Sequence, residues 1–322
     1  MTESTNVAIA CQGGGSHTAF TAGVLMELFE NWDSDARLVG ISGTSGGAFN
    51  ALAAWYGLVT GDESKAAGTL SNLWDDLMAR SAGDKWVNQW LLTLNRMQST
   101  GTPLPQFSPY QLPGSDLGKD RIRAVLERHI EFDAIPGYCT STAPELVVGT
   151  VDVNAGEFDT FTNENVTVEA VLASAAIPTL FEGVEVNGNL HWDGLFSQNP
   201  PVNDLTNQPP ERKPDELWVI QINKQTLDTH PKTLDEIADR RNELSGNISL
   251  NQELRFIEQV NEWIADGVLP NEQFRQIQIH RLEMGRRYHC STKVDRDPEF
   301  IEELLALGRD RGRLFLDEQR RE

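Results

Sequence analysis

Lysine is scarce in this chain. Seven lysines (Lys65, Lys85, Lys119, Lys213, Lys224, Lys232 and Lys293) stand among 322 residues, and all basic residues together number 27 against 48 acidic ones. The net charge of −21 comes without any basic patch, so a nucleic acid is a poor partner. Cysteine is scarcer still. Cys11, Cys139 and Cys290 are odd in number and far apart, which provides neither a disulfide framework nor metal-ligand spacing. They read as buried thiols, and no metal or other cofactor is expected. No apolar run approaches the roughly 20 residues of a membrane span. The first residues, "MTESTNV", are polar and not a basic start followed by an apolar segment. These absences lead us to expect a soluble, cytoplasmic protein without a transmembrane segment. An acidic, lysine-poor surface also suits a salt-rich cytoplasm, where screening weakens self-repulsion.

What is present is enough apolar residue, 39%, to build a sizeable core for one large domain or a domain with an appendage. "NVAIAC" (6–11) reads as a buried strand. The glycine-rich "QGGGSH" follows, then a helix in "TAFTAGVLMELFEN" with Phe20, Val24, Leu25 and Leu28 on one face. "RLVGIS", "GTSGG" and "AFNALAAWYGL" repeat the order of strand, glycine turn and helix. Two such units in succession predict a parallel sheet covered by helices.

Residues 61–132 are helical and loop-like, punctuated by Trp74, Trp86 and Trp90 and by the Pro-, Gly- and Ser-rich "STGTPLPQFSPYQLPGSD". They read as an insertion over one end of the sheet, each tryptophan packed on the core. "PELVVGTVDVNAGEFDTFT" predicts two strands joined by a turn, and "TVEAVLASAAIPTLF" a helix stopped at Pro178. "VEVNGNLHWDGLF" predicts a hairpin around Asn187-Gly188, and "DELWVIQIN" a buried strand. From Thr233 to Trp263 the pattern is helical, with Phe256, Ile257, Val260 and Ile264 on one face. A late strand in "FRQIQIHRLEM" and a charged helix from Pro298 close the chain. The expected division is 1–225 as the catalytic unit and 226–322 as a mainly helical C-terminal extension packed on the same core.

Ser45 lies at the second strand-to-helix turn, with Gly43 and Gly47 completing a Gly-x-Ser-x-Gly pattern. Such a turn presents the hydroxyl at a helix N-terminus, where backbone N–H groups face any anion formed there. The plainer reading is a glycine-rich turn with an N-cap serine. A nucleophile needs a base and donors for its oxyanion. Gly13, Gly14 and Gly15 can bring backbone N–H groups close to a ligand, and the N–H of Gly46 adds another. The loop lacks the spacing of a phosphate-binding P-loop, and Thr18 stands where a dinucleotide fingerprint has its last glycine. None of the six histidines (His17, His129, His191, His230, His280 and His289) sits in a catalytic signature. Asp193, in "HWDGLFSQNPP", is the better base, since partial burial beside Trp192 raises a carboxylate's basicity. Its plainer reading is an Asp-Gly turn.

Three segments in order, "GGGSHTAFTAGVL", "GISGTSGGAFNA" and "ASAAIPTLFEGVEVNGNLHWDGLFSQNPP", resemble the patatin-like phospholipase family, over roughly residues 6–223. The resemblance implies a three-layer α/β/α fold with a mainly parallel sheet. It also implies metal-free acyl-ester hydrolysis by a Ser45–Asp193 dyad without histidine, with Gly13, Gly14 and Gly15 near the oxyanion. The chain departs from the family pattern twice. His17 and Thr18 stand where a basic residue and a glycine are usual, and Leu195 where the aspartate motif ends in Gly or Ala. Patatin-like proteins include phospholipases, neutral-lipid lipases and, in some prokaryotes, depolymerases of intracellular polyhydroxyalkanoate. The expected partner is therefore a lipid or polyester surface or granule. The non-enzyme alternative is a lipid- or granule-binding protein that retains the fold.

Overall fold

The computed structural model describes residues 4–99, 108–111, 116–178, 180–270 and 273–321. Its first half begins with the two predicted units. β1 (Thr5–Cys11) leads through the glycine loop and a single-turn helix at Gly15–Thr18 into α1 (Ala19–Glu30). β2 (Ala36–Thr44) leads into α2 (Gly46–Thr60). Four helices follow: α3 (Glu63–Leu77), α4 (Ala82–Ser99), α5 (Asp116–His129) and α6 (Ile135–Tyr138). Most of the Pro- and Gly-rich run expected inside this insertion, residues 100–107 and 112–115, lies outside the described residues.

Then come β3 (Glu145–Asp152), β4 (Glu157–Thr162), α7 (Val168–Ser174), β5 (Val184–Val186) and β6 (Asn189–Asp193). The remaining elements are α8 (Asn203–Thr206), β7 (Glu216–Gln221), α9 (Leu234–Ala265), β8 (Gln278–Glu283) and α10 (Pro298–Gln319). The helix expected to run to Pro178 ends earlier, at Ser174, and turns carry the chain on.

The strands form one sheet in the order β5-β6-β3-β2-β1-β7-β8, with β4 also paired to β3. β3, β2, β1, β7 and β8 run parallel, while β4, β5 and β6 are antiparallel. Alternation along the strands sorts the side chains into two cores. Val7, Ile9 and Cys11 of β1 join Trp218 and Ile220 of β7 beneath α1 and α2. Ala8, Ala10, Leu217 and Val219 face the other way, against Leu250, Leu254 and Ile257 of α9. The fold is therefore the expected three-layer α/β/α arrangement. The last quarter of the chain contributes to every layer: β8 extends the sheet along β7, α9 covers one face, and α10 packs on α1.

Two sequence readings are corrected. Trp74 is buried, its indole N–H donating to Asn50 Oδ1 at 2.7 Å, but Trp86 and Trp90 are 69% and 52% exposed. α4 turns Asn88 inward instead, where its amide donates to Asp295 and its oxygen accepts from Arg296 N–H, so residues two places away on either side face outward. On α9, Phe256 points to solvent, because the stripe that meets the sheet runs through Leu250, Leu254 and Ile257.

The α1–α10 crossing is set by small residues. A β-carbon on Gly308 would stand 2.0 Å from the Phe20 carbonyl oxygen, and one on Gly23 2.1 Å from that of Leu305. Gly308→Ala gains about 1 kcal/mol of helix propensity. It forces two backbones apart at a cost of about 1–3 kcal/mol, so the net effect is loss of stability. A lower urea midpoint for Gly308→Ala than for the wild type is the expected result.

Candidate active site

Ser45 is the single residue between the end of β2 and the start of α2. Its φ of 56° and ψ of −129° are strained for a residue with a β-carbon. Two glycines make this turn possible. A β-carbon on Gly43 would lie 2.3 Å from the Gly47 carbonyl oxygen, and one on Gly47 2.2 Å from that of Cys11. The turn is then pinned from outside: Ser45 N–H donates to Ser174 Oγ at 2.9 Å, and the Ser174 hydroxyl donates to the Gly149 carbonyl at 2.7 Å. The Ser45 hydroxyl does not cap α2, so the N-cap reading fails.

The carboxylate of Asp193, which β6 delivers to the same place by pairing opposite Thr150, is the group that feels this hydroxyl. Asp193 N–H donates to the Ala176 carbonyl at 3.0 Å, and its Oδ1 accepts Leu195 N–H at 2.8 Å. The second bond caps a single helical turn, so the plain-turn reading is half right. The carboxylate closes the turn, and the Ser45 hydroxyl is among the groups that lower its pKa. Ser45 is 5% exposed and Asp193 1%. Burial pushes the Asp193 carboxyl up to about 7, against the Leu195 N–H, the Ser45 hydroxyl and the Lys293 charge, which pull it down. A carboxylate of that basicity is matched to taking a proton from a serine near neutral pH.

The glycine loop lies alongside. Gln12 anchors it: its side-chain oxygen accepts the N–H groups of Ile222 and Asn223, both at 3.0 Å, and its amide donates to Asn247 at 3.0 Å. Gly13 N–H is committed to Asn199 Oδ1 at 2.6 Å, so Gly13 holds the loop and is not a free donor. Among the described residues no acceptor takes the N–H of Gly14 or Gly15. Gly46 opens α2, and its N–H has no preceding helical turn to bond. Gly15 has φ +58°, and a β-carbon there would meet the Lys293 carbonyl oxygen at 2.1 Å. Thr18, one of the two loop departures, closes the loop by donating to the Gly15 carbonyl at 2.7 Å. Leu195 contributes its N–H to Asp193, and its side chain turns toward Gly246.

No described hydrogen bond joins a histidine to Ser45 or Asp193. His17 is buried against Tyr288 and Phe300, with Nε2 2.7 Å from Thr292 Oγ1. Burial, with the Lys293 charge, lowers its pKa to about 3, which keeps it neutral. His191, His129 and His280 face Asp159, Asp76 and Glu216. Among the described residues one group has the types and spacing to hold a metal: Asp239, His289 and Cys290, with ligand atoms within 4.8 Å of one another. Its carboxylate is already taken, since Asp239 Oδ1 accepts Cys290 N–H at 2.6 Å and Oδ2 lies 3.3 Å from the Arg287 guanidinium.

Sequence reasoning passed over Ser174, Asn199 and Lys293. The first two lie inside the "ASAAIP" and "SQNPP" stretches, where a lone polar residue in an apolar run and an asparagine before two prolines were a usable signal. Lys293 had none beyond the rarity of lysine.

The model of the family described as "Patatin-like phospholipase" matches residues 9–206. No curated protein matches the chain. Among solved structures, VipD from Legionella pneumophila aligns with 98% of this chain and 67% of its own, at 14% identity and TM-score 0.49. Human GIVD cytosolic phospholipase A2, in complex with methyl gamma-linolenyl fluorophosphonate, aligns with 96% and 57%, at 14% identity and TM-score 0.48. ExoU of Pseudomonas aeruginosa, in its complex with SpcU, aligns with 98% and 52%, at 14% identity and TM-score 0.38. The chain thus spans 52–67% of the length of these three. With its matched segment running through both strand–loop–helix units and on past β6, the chain belongs to the patatin-like phospholipase family, a family of ester-bond hydrolases.

Proposed function

We propose that this protein hydrolyses acyl esters of lipids with Ser45 as nucleophile and Asp193 as its base. The observation that carries the reading is the strained Ser45 beside the buried carboxylate of Asp193, whose pKa burial raises to about 7. Asp193 takes the Ser45 proton as Oγ attacks the acyl carbon, and the carbonyl oxygen becomes an oxyanion facing the N–H groups of Gly14, Gly15 and Gly46. One such donor is typically worth about 2.7–4 kcal/mol of barrier. Asp193 returns the proton to the leaving alkoxide, so an alcohol departs and an acyl-serine remains. Water, losing a proton to Asp193, then opens the acyl-serine to a carboxylic acid and restores Ser45. Residues 1–225 supply these groups, and 226–322 complete the layers that hold them.

For the substrate, charge is the guide. A protein at −21 is repelled by anionic surfaces at low salt. Trp86 and Trp90, one helical turn apart and exposed, offer an aromatic face suited to an uncharged lipid interface. Neutral ester surfaces, storage polyester such as polyhydroxyalkanoate among them, fit this better than anionic membranes.

Ser45→Ala and Asp193→Asn are each expected to abolish ester hydrolysis, with fluorophosphonate labelling confined to Ser45. In the wild type, kcat/KM falls as pH drops through about 7, where Asp193 gains its proton. Stability runs the other way. Between 3.8 and about 7 the folded protein holds a proton that the unfolded chain has lost, so this contribution is present at low pH and lost as pH rises through 7. Asp193→Asn removes the buried charge and is therefore expected to melt at a higher temperature than wild type at about pH 8.5. A wild-type rate in Asp193→Asn refutes the dyad.

Salt shortens the range of the surface field from about 30 Å at 0.01 M to about 3 Å at 1 M. Thermal stability is expected to rise along that series. At its low end, hydrolysis of neutral lipid or polyester particles is expected to exceed that of anionic phospholipid vesicles. Preference for the anionic vesicles at low salt overturns the substrate assignment. Replacing both Trp86 and Trp90 by Ser is expected to slow hydrolysis of particles several-fold and to leave a soluble p-nitrophenyl ester unaffected.

A further inference from the structure

Ser174 and Ala176 stand two residues apart where α7 ends, and together they hold the backbones of both site residues. Ser174 Oγ accepts the Ser45 N–H at 2.9 Å, and the Ala176 carbonyl accepts the Asp193 N–H at 3.0 Å. A serine in a helix often bonds back to the carbonyl one turn earlier. This one reaches across to β3 instead, donating to the Gly149 carbonyl at 2.7 Å. Its single proton is thereby committed, and Oγ faces Ser45 as an acceptor. Gly149 itself lies between the two site residues. It pairs with Thr44 across β2 and β3, and its neighbour Thr150 pairs with Asp193 across β3 and β6. The Gly149 carbonyl would also stand 2.8 Å from a β-carbon on Gly194. Ser174, Ser45, Thr44 and Asp193 are all buried, so water does not replace these bonds when one is lost.

We propose that Ser174 is a positioning residue for ester hydrolysis: by holding the Ser45 N–H against β3, in the same turn that anchors the Asp193 backbone, it fixes where the Ser45 hydroxyl stands relative to Asp193. The proposal rests on the Ser45–Asp193 reading above. Backbone strain such as that at Ser45 costs about 1–3 kcal/mol and persists where the surroundings over-determine it. Ser174 is the side chain bonded to the backbone of that strained residue. Without its hydroxyl the Ser45 N–H and the Gly149 carbonyl each lose a buried partner, and the turn is free to relax. A shift of about 1 Å at a reacting atom costs up to about 100-fold in rate. Ser174 lies behind the Ser45 backbone, so its loss acts on turnover and not on substrate binding.

The test uses a soluble p-nitrophenyl ester, with kcat and KM separated, the rate of fluorophosphonate labelling, and a thermal melt for each protein. Ser174→Ala is expected to lower kcat about tenfold or more, keep KM within about twofold, and slow labelling of Ser45 by a similar factor. Ser174→Cys replaces the hydroxyl by a weak donor and acceptor, and is expected to fall between Ser174→Ala and wild type. Asn261→Ala is the control for a general loss of stability. The Asn261 amide bonds the Ile277 backbone at 2.8 and 2.9 Å, just before β8 and at the opposite end of the parallel strands from Ser45. It is expected to melt earlier than wild type with kcat within about twofold. Wild-type kcat and labelling rate in folded Ser174→Ala overturn the proposal, as they do in Ser174→Cys where Ser174→Ala does not fold. A raised KM with unchanged kcat, or an equal loss of kcat in Asn261→Ala, also overturns it. Failure of the underlying reading looks different: fluorophosphonate then labels Ser45→Ala as fast as wild type, and both proposals fall.

Discussion

Three backbones meet at Gly47. The Cys11 carbonyl at the end of β1 lies 2.2 Å from where a β-carbon would stand, and the same turn of α2 presses its Gly47 carbonyl to within 2.3 Å of the β-carbon position on Gly43. Only glycine at both places lets β1, β2 and α2 come this close. That contact forces Ser45 into its left-handed conformation and turns its hydroxyl away from helix capping. It also brings the glycine loop after β1 beside the start of α2, where a β-carbon on Gly46 would strike Thr18 Oγ1 at 2.3 Å. Ser174, Gln12 and Asn199 are then fasteners on a geometry that close backbone packing has already chosen.

The electrostatics of the site run opposite to those of the surface. Over the whole chain 48 acidic residues stand against 27 basic ones, most of them at the surface. At the site, burial pushes the Asp193 carboxyl up to about 7, so it is far less acidic than the surface carboxylates. Arginine, not lysine, carries the ties that hold the C-terminal elements in place. Arg309 meets Glu30 at 2.6 Å and Arg313 meets Glu27 at 3.3 Å across the α1–α10 contact, while Arg287 bonds Glu243 at 2.9 Å. The planar guanidinium suits such pairs better than a single ammonium. The more exposed of these, Arg309–Glu30, contributes at most about 1 kcal/mol. Their role is mainly to choose orientation, and apolar burial between the layers supplies most of the stability.

Much of the fold was legible because it is local. β1, β2, β3, β4 and β7 are short apolar or alternating runs between turn residues, and the Asn187-Gly188 turn of the β5–β6 hairpin has φ values of 53° and 86°, as that dipeptide predicts. The turn at Ser45 was legible for the same reason, since glycine spacing around Ser45 is a backbone requirement written in consecutive residues. The proposed role of Asp193 as base was open to the sequence only by elimination and resemblance, because its raised pKa comes from the layers that bury it.

What the sequence by itself determined is therefore the order of strands and helices, the strained serine, and the excess of negative charge. The tertiary structure decided the rest. It chose which face each helix turns inward: Asn88 and not its tryptophan neighbours on α4, Leu254 and not Phe256 on α9. It committed Gly13 to Asn199 and left the N–H groups of Gly14 and Gly15 without an acceptor among the described residues. It also carried Lys293 to the glycine loop by pairing β8 with β7 and packing α10 on α1. The physical reason is one of range. Backbone conformation is set within a few residues, whereas burial, and the pKa values and orientations that follow from it, depend on which distant segments share a core.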